Sequence, residues 1–226
     1  MELYEILCYG DSNTWGTIAR CNTEDDEFRY DRLTRWPCVL QSELGSEYAV
    51  TEEGMGFRTT VYTNDAEKPW QNGLNLLEPV LHSHHPLDMV IVMLGTNDLR
   101  QPKLPEAEEL QNGISRIVEF IRQHPEYGRN GNPPKIIIIS PPFITPSRPD
   151  GRTEVYPLFH GAEGEARSRQ FPEEYRRTAQ KYGCGFVNSQ KLTVPDSADG
   201  VHIDAPSHIR LAKAVAEEVK RLRFID

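Results

Sequence analysis

Two short runs, Met89-Val90-Ile91-Val92-Met93-Leu94 and Ile136-Ile137-Ile138-Ile139, contain no polar residue and are rich in β-branched side chains. Apolar runs of this length bounded by polar turns read as strands, and a strand that is apolar on both faces needs cover on both faces. A parallel sheet between two helical layers supplies that cover, which restricts the chain to a layered α/β architecture. The rest of the sequence alternates accordingly. A first strand is expected at about Glu5 to Tyr9, then a helix from about Trp36 to Leu44, with Pro37 in its first turn and Gly45 at its end. A short strand near Ala49 to Thr51, a helix from about Leu74 to Leu81 and the strand from Met89 to Leu94 follow. The next helix, from about Glu106 to Gln123, carries Leu110, Ile114, Ile117 and Ile121 on one face. A strand from Lys135 to Ser140, a helix from about Glu165 to Tyr182, a strand near Gly185 to Val187 and a helix from about Ser207 to Leu222 complete five βα units. The expected fold is an α/β three-layer α/β/α sandwich with a five-stranded parallel sheet. It occupies one domain, 1–226, without internal repeats or low-complexity linkers.

In such a sheet, ligands bind at the carboxyl ends of the strands, so the residues found there matter most. The first strand stops at Gly10-Asp11-Ser12-Asn13, and the Met89 strand stops at Gly95-Thr96-Asn97-Asp98. Far downstream stands Asp199-Gly200-Val201-His202. A serine hydroxyl is a weak nucleophile that needs a base within hydrogen-bond reach and a third group to orient the base. His202 and Asp199, two residues apart in between, can reach Ser12 together from one loop. Asn97, on the same rim, can donate its amide to a developing oxyanion. Taken singly, Gly-Asp-Ser and Gly-Thr-Asn-Asp also suit ordinary turns; it is the three segments together that point to nucleophilic hydrolysis.

The three segments, in this order and spread over nearly the whole chain, resemble the SGNH hydrolases, also called the GDSL esterase/lipase superfamily. Gly10-Asp11-Ser12-Asn13 matches its first block, Gly95-Thr96-Asn97-Asp98 its third and Asp199-Gly200-Val201-His202 its fifth. The stretches Ile6 to Gly16, Glu52 to Thr60 and Val92 to Asp98 are similar to the bacterial arylesterase and perhydrolase branch, whose members also carry out acyl transfer. The resemblance implies the flavodoxin-like SGNH topology, no cofactor and a small-molecule ester as substrate. It makes Ser12 the nucleophile, His202 the general base and Asp199 its orienting acid. The oxyanion hole would combine the Ser12 N–H, an N–H from Gly56 or Phe57 and the Asn97 side chain. Phe57 stands where the family most often has glycine, which a side chain tolerates if φ is negative. Phe57 and Trp15 are expected to narrow the acyl pocket, Arg58 to bind a substrate carbonyl or fix its loop, and Asp11 and Phe143 to lie at the substrate pocket.

The formal charge of −9 disfavours nucleic acid and anionic membranes as partners, and favours an uncharged substrate. The start, Met1-Glu2-Leu3-Tyr4-Glu5, lacks the basic head of a signal peptide, and no apolar stretch is long enough to span a bilayer. Cys8, Cys21, Cys38 and Cys184 show no metal-like spacing, so reduced thiols in a cytoplasmic protein are expected. No metal site is expected either. The acidic Glu24, Asp25, Asp26, Glu27 and Asp31 read as a solvated face, and His82, His84 and His85 as cations at a helix end. Asp11 and Asp98 suit turn-capping better than paired acid/base work, and His208 and Arg210 read as surface residues. The long stretch 141–164, leaving the catalytic rim with Phe143, Ile144, Tyr156, Leu158 and Phe159, is expected to line the pocket, pack against a neighbouring subunit, or both. In arylesterase-like relatives a loop here is associated with higher oligomers, which implies a homo-oligomer. Two rivals stand beside the short-acyl or aryl esterase: a carbohydrate acetyl esterase, and a flavodoxin-like module that binds a small ligand without chemistry.

Overall fold

The computed structural model describes residues 2–20, 28–63 and 68–224. Five strands, β1 (Tyr4–Gly10), β2 (Tyr48–Gly54), β3 (Met89–Met93), β4 (Lys135–Ser140) and β5 (Gly185–Asn188), form one parallel sheet in the order β2-β1-β3-β4-β5. The helices are α1 (Ser12–Trp15), α2 (Trp36–Leu44), α3 (Gly73–His84), α4 (Ala107–Gln123), α5 (Val155–Leu158), α6 (Gly161–Ser168), α7 (Phe171–Tyr182) and α8 (Ala205–Arg223).

Strand periodicity divides the apolar runs between two cores. Leu7, Tyr9, Val90, Val92, Ile136 and Ile138 pack with α3, α4 and α7, where Leu81, Ile117 and Tyr175 are fully buried. Ile6, Cys8, Met89, Ile91, Ile137 and Ile139 face the other way, onto Trp36 and Leu40 of α2 and Leu211 and Val215 of α8. Each uninterrupted run thus serves both layers.

Four differences from the sequence reading have physical causes. β2 runs on through Glu52 and Glu53 because it is an edge strand, whose outer row tolerates charge; Glu52 receives Arg35 in a two-point ion pair, at 2.5 and 2.9 Å. The expected helix from Glu165 to Tyr182 is two helices, α6 and α7, with Pro172 in the first turn of the second. The stretch 141–164 is not all loop, since it contains α5 and the start of α6. His208 is not a surface residue: it is fully buried, its Nδ1 accepts the Trp36 N–H at 3.3 Å, and burial pushes its pKa down to about 3. Arg210 does remain half-exposed.

Among the described residues, Cys8, Cys38 and Cys184 are free thiols and no helix is long and apolar enough to cross a membrane. Cys21 and the acidic run Glu24 to Glu27 lie outside the described residues.

Candidate active site

β1 and β3 end side by side, with Gly10 opposite Met93. The chain turns sharply after Gly10, where an added Cβ would fall 2.0 Å from Thr14 Oγ1, and Asp11 caps α1 by accepting the Asn13 N–H at 2.9 Å. This presents Ser12, the first residue of α1, at the rim. From the other end of the chain, the loop before α8 brings His202 up to it: Nε2 lies 3.0 Å from Ser12 Oγ, and Nδ1 lies 2.6 Å from Asp199 Oδ2. The other carboxylate oxygen, Oδ1, accepts the N–H groups of Val201 at 2.9 Å and His202 at 3.0 Å. Such a tight loop needs Gly200 at φ +73°, packed so closely that a Cβ would sit 1.9 Å from the Thr145 carbonyl oxygen. Burial pushes the Asp199 carboxyl up, but the charge of His202 and these hydrogen bonds more than offset it and hold the pKa below the ordinary value.

Asn13 locks the two ends together. Its Oδ1 accepts the Ile203 N–H at 3.0 Å and its Nδ2 donates to the Val201 carbonyl at 3.5 Å, spanning 190 residues of sequence. The sequence reading gave Asn13 no role; its place beside Ser12 was the only signal. The segment after β4 adds a second brace, as Thr145, Arg148 and Arg152 donate backbone N–H groups to Gly200, Ser197 and Ala198 at 2.6–2.9 Å.

Asn97 is nearly buried on the rim beyond β3 and shares a cavity with Ser12, Gly56, Phe57 and His202. Its Nδ2 donates to the Arg58 carbonyl at 3.1 Å, which fixes the plane of the amide. Gly56 and Phe57 form the turn closed by the Arg58 N–H on the Met55 carbonyl at 3.3 Å, and their own N–H groups meet no protein acceptor among the described residues. Phe57 adopts φ +64°, not the negative φ expected, so the turn needs the left-handed conformation that glycine would supply freely. Holding a phenylalanine there stores on the order of 1–2 kcal/mol of strain.

Other expected pocket residues lie elsewhere. Arg58 does not line the cavity: it is buried against the Tyr9 ring and donates to the carbonyls of Gly10, at 2.9 Å, and Glu53, fixing the turn from below. Trp15 lies under Arg29, which donates to its carbonyl at 2.6 Å, and Phe143 stacks on Arg169. Neither reaches the cavity, nor does Asp11. The apolar wall is built instead from Ile18, Phe28, Phe57 and three residues of the segment after β4, Val155, Leu158 and Phe159. Of the histidines near the end of α3, His84 contacts Glu53 at 3.0 Å while His82 and His85 stack on each other.

Below the rim, Asp98 accepts the Thr60 N–H at 2.8 Å and the Thr60 hydroxyl at 2.6 Å. Burial raises its pKa from 3.8 to about 7, and that of Asp11 from 3.8 to about 6. An unfolded chain gives up these protons near the ordinary carboxyl pKa while the folded chain holds them longer. The contribution of these two carboxyls to stability therefore falls as pH rises from about 4 to about 7, by an amount on the order of a few kcal/mol. Asp98→Asn, which keeps a group able to bond Thr60, is expected to gain in urea midpoint relative to the parent between pH 4.5 and 7.5. A difference between the two proteins that does not change with pH would exclude this role for Asp98.

The residues at the rim agree with what the whole chain is similar to. Residues 8–209 match the GDSL-like Lipase/Acylhydrolase family. Among solved structures, a carbohydrate acetylesterase from Sinorhizobium meliloti is 32% identical with a TM-score of 0.86, over 96% of this chain and 99% of that one. The aryl esterase of M. smegmatis is 31% identical with a TM-score of 0.87, again over 96% and 99% of the two chains. A second carbohydrate acetylesterase family member from Sinorhizobium meliloti is 34% identical over 98% of both chains, with a TM-score of 0.82. No curated protein matches the chain. A family match over most of the sequence, and relatives above 30% identity along their whole length, place this chain in the GDSL-like lipase/acylhydrolase family of SGNH hydrolases.

Proposed function

We propose that the protein is a serine esterase that cleaves small carboxylic esters, short-acyl or aryl, through an acyl-enzyme on Ser12. The observation that carries this reading is the unbroken hydrogen-bond chain from Ser12 Oγ through both nitrogens of His202 to Asp199. His202 Nε2 takes the hydroxyl proton as Oγ bonds to the ester carbonyl carbon, and Asp199 keeps the imidazole in the tautomer that leaves Nε2 free to accept. The negative charge that develops on the carbonyl oxygen is received by the Ser12 N–H, an N–H of Gly56 or Phe57, and the Asn97 amide. As the tetrahedral adduct collapses, the bond to the alcohol breaks and His202 returns the proton to the departing oxygen. Water then repeats the sequence on the acyl-serine. An alcohol or peroxide in its place would make the reaction acyl transfer.

Asn97→Ala removes one donor while leaving the nucleophile intact, and is expected to lower kcat by about a hundred- to a thousandfold. Equal kcat in the two proteins would remove Asn97 from the oxyanion hole.

Two of the relatives are carbohydrate acetylesterases, which supports a second reading, removal of acetyl groups from sugars. Turnover of p-nitrophenyl acetate, longer p-nitrophenyl esters and acetylated oligosaccharides separates the two, with Ser12→Ala as control. Preference for short p-nitrophenyl esters supports the first reading and preference for acetylated sugars the second. Activity that persists in Ser12→Ala contradicts both. We take 1–226 as one catalytic domain that acts as a cytoplasmic homo-oligomer, a reading consistent with its free thiols.

A further inference from the structure

On a chain of formal charge −9, the described residues that line the cavity at Ser12 carry the opposite sign. Arg20, Arg100 and Arg152 line it, and among the described residues the carboxylate in its walls is Asp199, already engaged by His202. Arg152 pairs with Glu154 at 3.0 Å, and the Arg20 guanidinium lies on the Phe28 ring. Arg100 is different. Its guanidinium carbon stands 5.0 Å from the centre of the Phe57 ring and 5.8 Å from that of Phe159, and among the described residues no carboxylate, carbonyl or hydroxyl accepts from it. Burial lowers its pKa and no acidic neighbour among the described residues counters that shift, yet a guanidinium stays protonated at any physiological pH.

Aromatic faces compensate part of the cost of a half-buried cation. They also leave the planar N–H fork open, and that fork matches a carboxylate edge to edge with two parallel hydrogen bonds. The rings that hold Arg100 belong to the cavity, and one of them, Phe57, is kept in place at a conformational cost. We propose that Arg100 is a specificity residue that receives a carboxylate of the substrate, so that the preferred esters carry an anionic group on the acyl or the alcohol side. A cavity of about 270 Å³ suits a small acyl or aryl group together with that carboxylate. This replaces the expectation of an uncharged substrate, since local charge at a site and the net charge of a chain are separate quantities. It rests on the esterase reading above.

Binding to Ser12→Ala, followed by calorimetry, tests the inference without turnover. The probes are 4-acetoxybenzoate against its methyl ester, for an anion on the alcohol side, and monoethyl adipate against diethyl adipate, for an anion on the acyl side. In at least one pair the anionic ester should bind about 10- to 100-fold more tightly, as expected for hydrogen bonds to a charged group. Adding Arg100→Gln should abolish that preference, and Arg100→Lys should retain part of it, because the charge survives while the fork is lost. Equal affinities in both pairs, undetectable binding of both anionic probes at millimolar concentration, or a preference that survives Arg100→Gln would overturn the proposal. Failure of the esterase reading is recognised separately, by ester turnover that survives in Ser12→Ala.

Discussion

Replacing Ser12 with alanine is expected to lower kcat for p-nitrophenyl acetate by about 10⁵-fold or more, because without the nucleophile only binding and the oxyanion donors still act on the ester. The fold should not change. Among the described residues the Ser12 side chain bonds to His202 at 3.0 Å and to no other side chain, whereas the turn that presents it is held by Asp11, Asn13 and Gly10. Kinetics and a thermal melt on the same sample check both halves of this expectation. A variant that melts like the parent and retains even a hundredth of its kcat would remove Ser12 from the chemistry.

The second large effect is expected at Asp199, where the geometry dictates how an amide would sit. Oδ1 accepts two backbone N–H groups, from Val201 and His202, and only an oxygen can do so. In Asp199→Asn the amide oxygen must therefore take the Oδ1 position and the NH₂ group must face His202 Nδ1. Nδ1 then becomes an acceptor, the ring proton moves to Nε2, and the atom that should accept from Ser12 donates instead. The expected cost is about 10⁴-fold in kcat with KM nearly unchanged. A loss below tenfold, with the fold intact, would show that Asp199 does not set the tautomer.

How much of this was legible in the sequence depends on how local the physics is. β3 and β4 declared themselves because strands buried on both faces exclude polar residues, the Ser12 and Asn97 segments stood out because each follows a strand, and the Asp199 to His202 segment because an acid and a histidine stand three residues apart. β2 was read too short because Glu52 and Glu53 look unlike strand residues until Arg35 is known to lie opposite. His208 looked like a surface residue because nothing in sequence announces that Trp36, 172 residues away, covers it. The break between α6 and α7 at Arg169 and Gln170 was hidden because helical patterning continues across it, Pro172 being its one local mark. Phe57 shows the limit most clearly: the departure from glycine was visible, but the sign of φ follows from the closure of the Met55 to Arg58 turn. Arg100, two residues after the Gly95-Thr96-Asn97-Asp98 block, attracted no notice, since one arginine among 25 basic residues gains meaning only when two aromatic rings and the cavity close around it.

Reaction with a fluorophosphonate ester, followed by peptide mass spectrometry, addresses the nucleophile itself. One adduct per chain is predicted, on the Ser12 oxygen, and it should be absent from Ser12→Ala and strongly slowed in His202→Ala. The absence of any adduct, as a flavodoxin-like binding module would give, or an adduct on another residue that persists in Ser12→Ala, would contradict the assignment of Ser12 as the nucleophile.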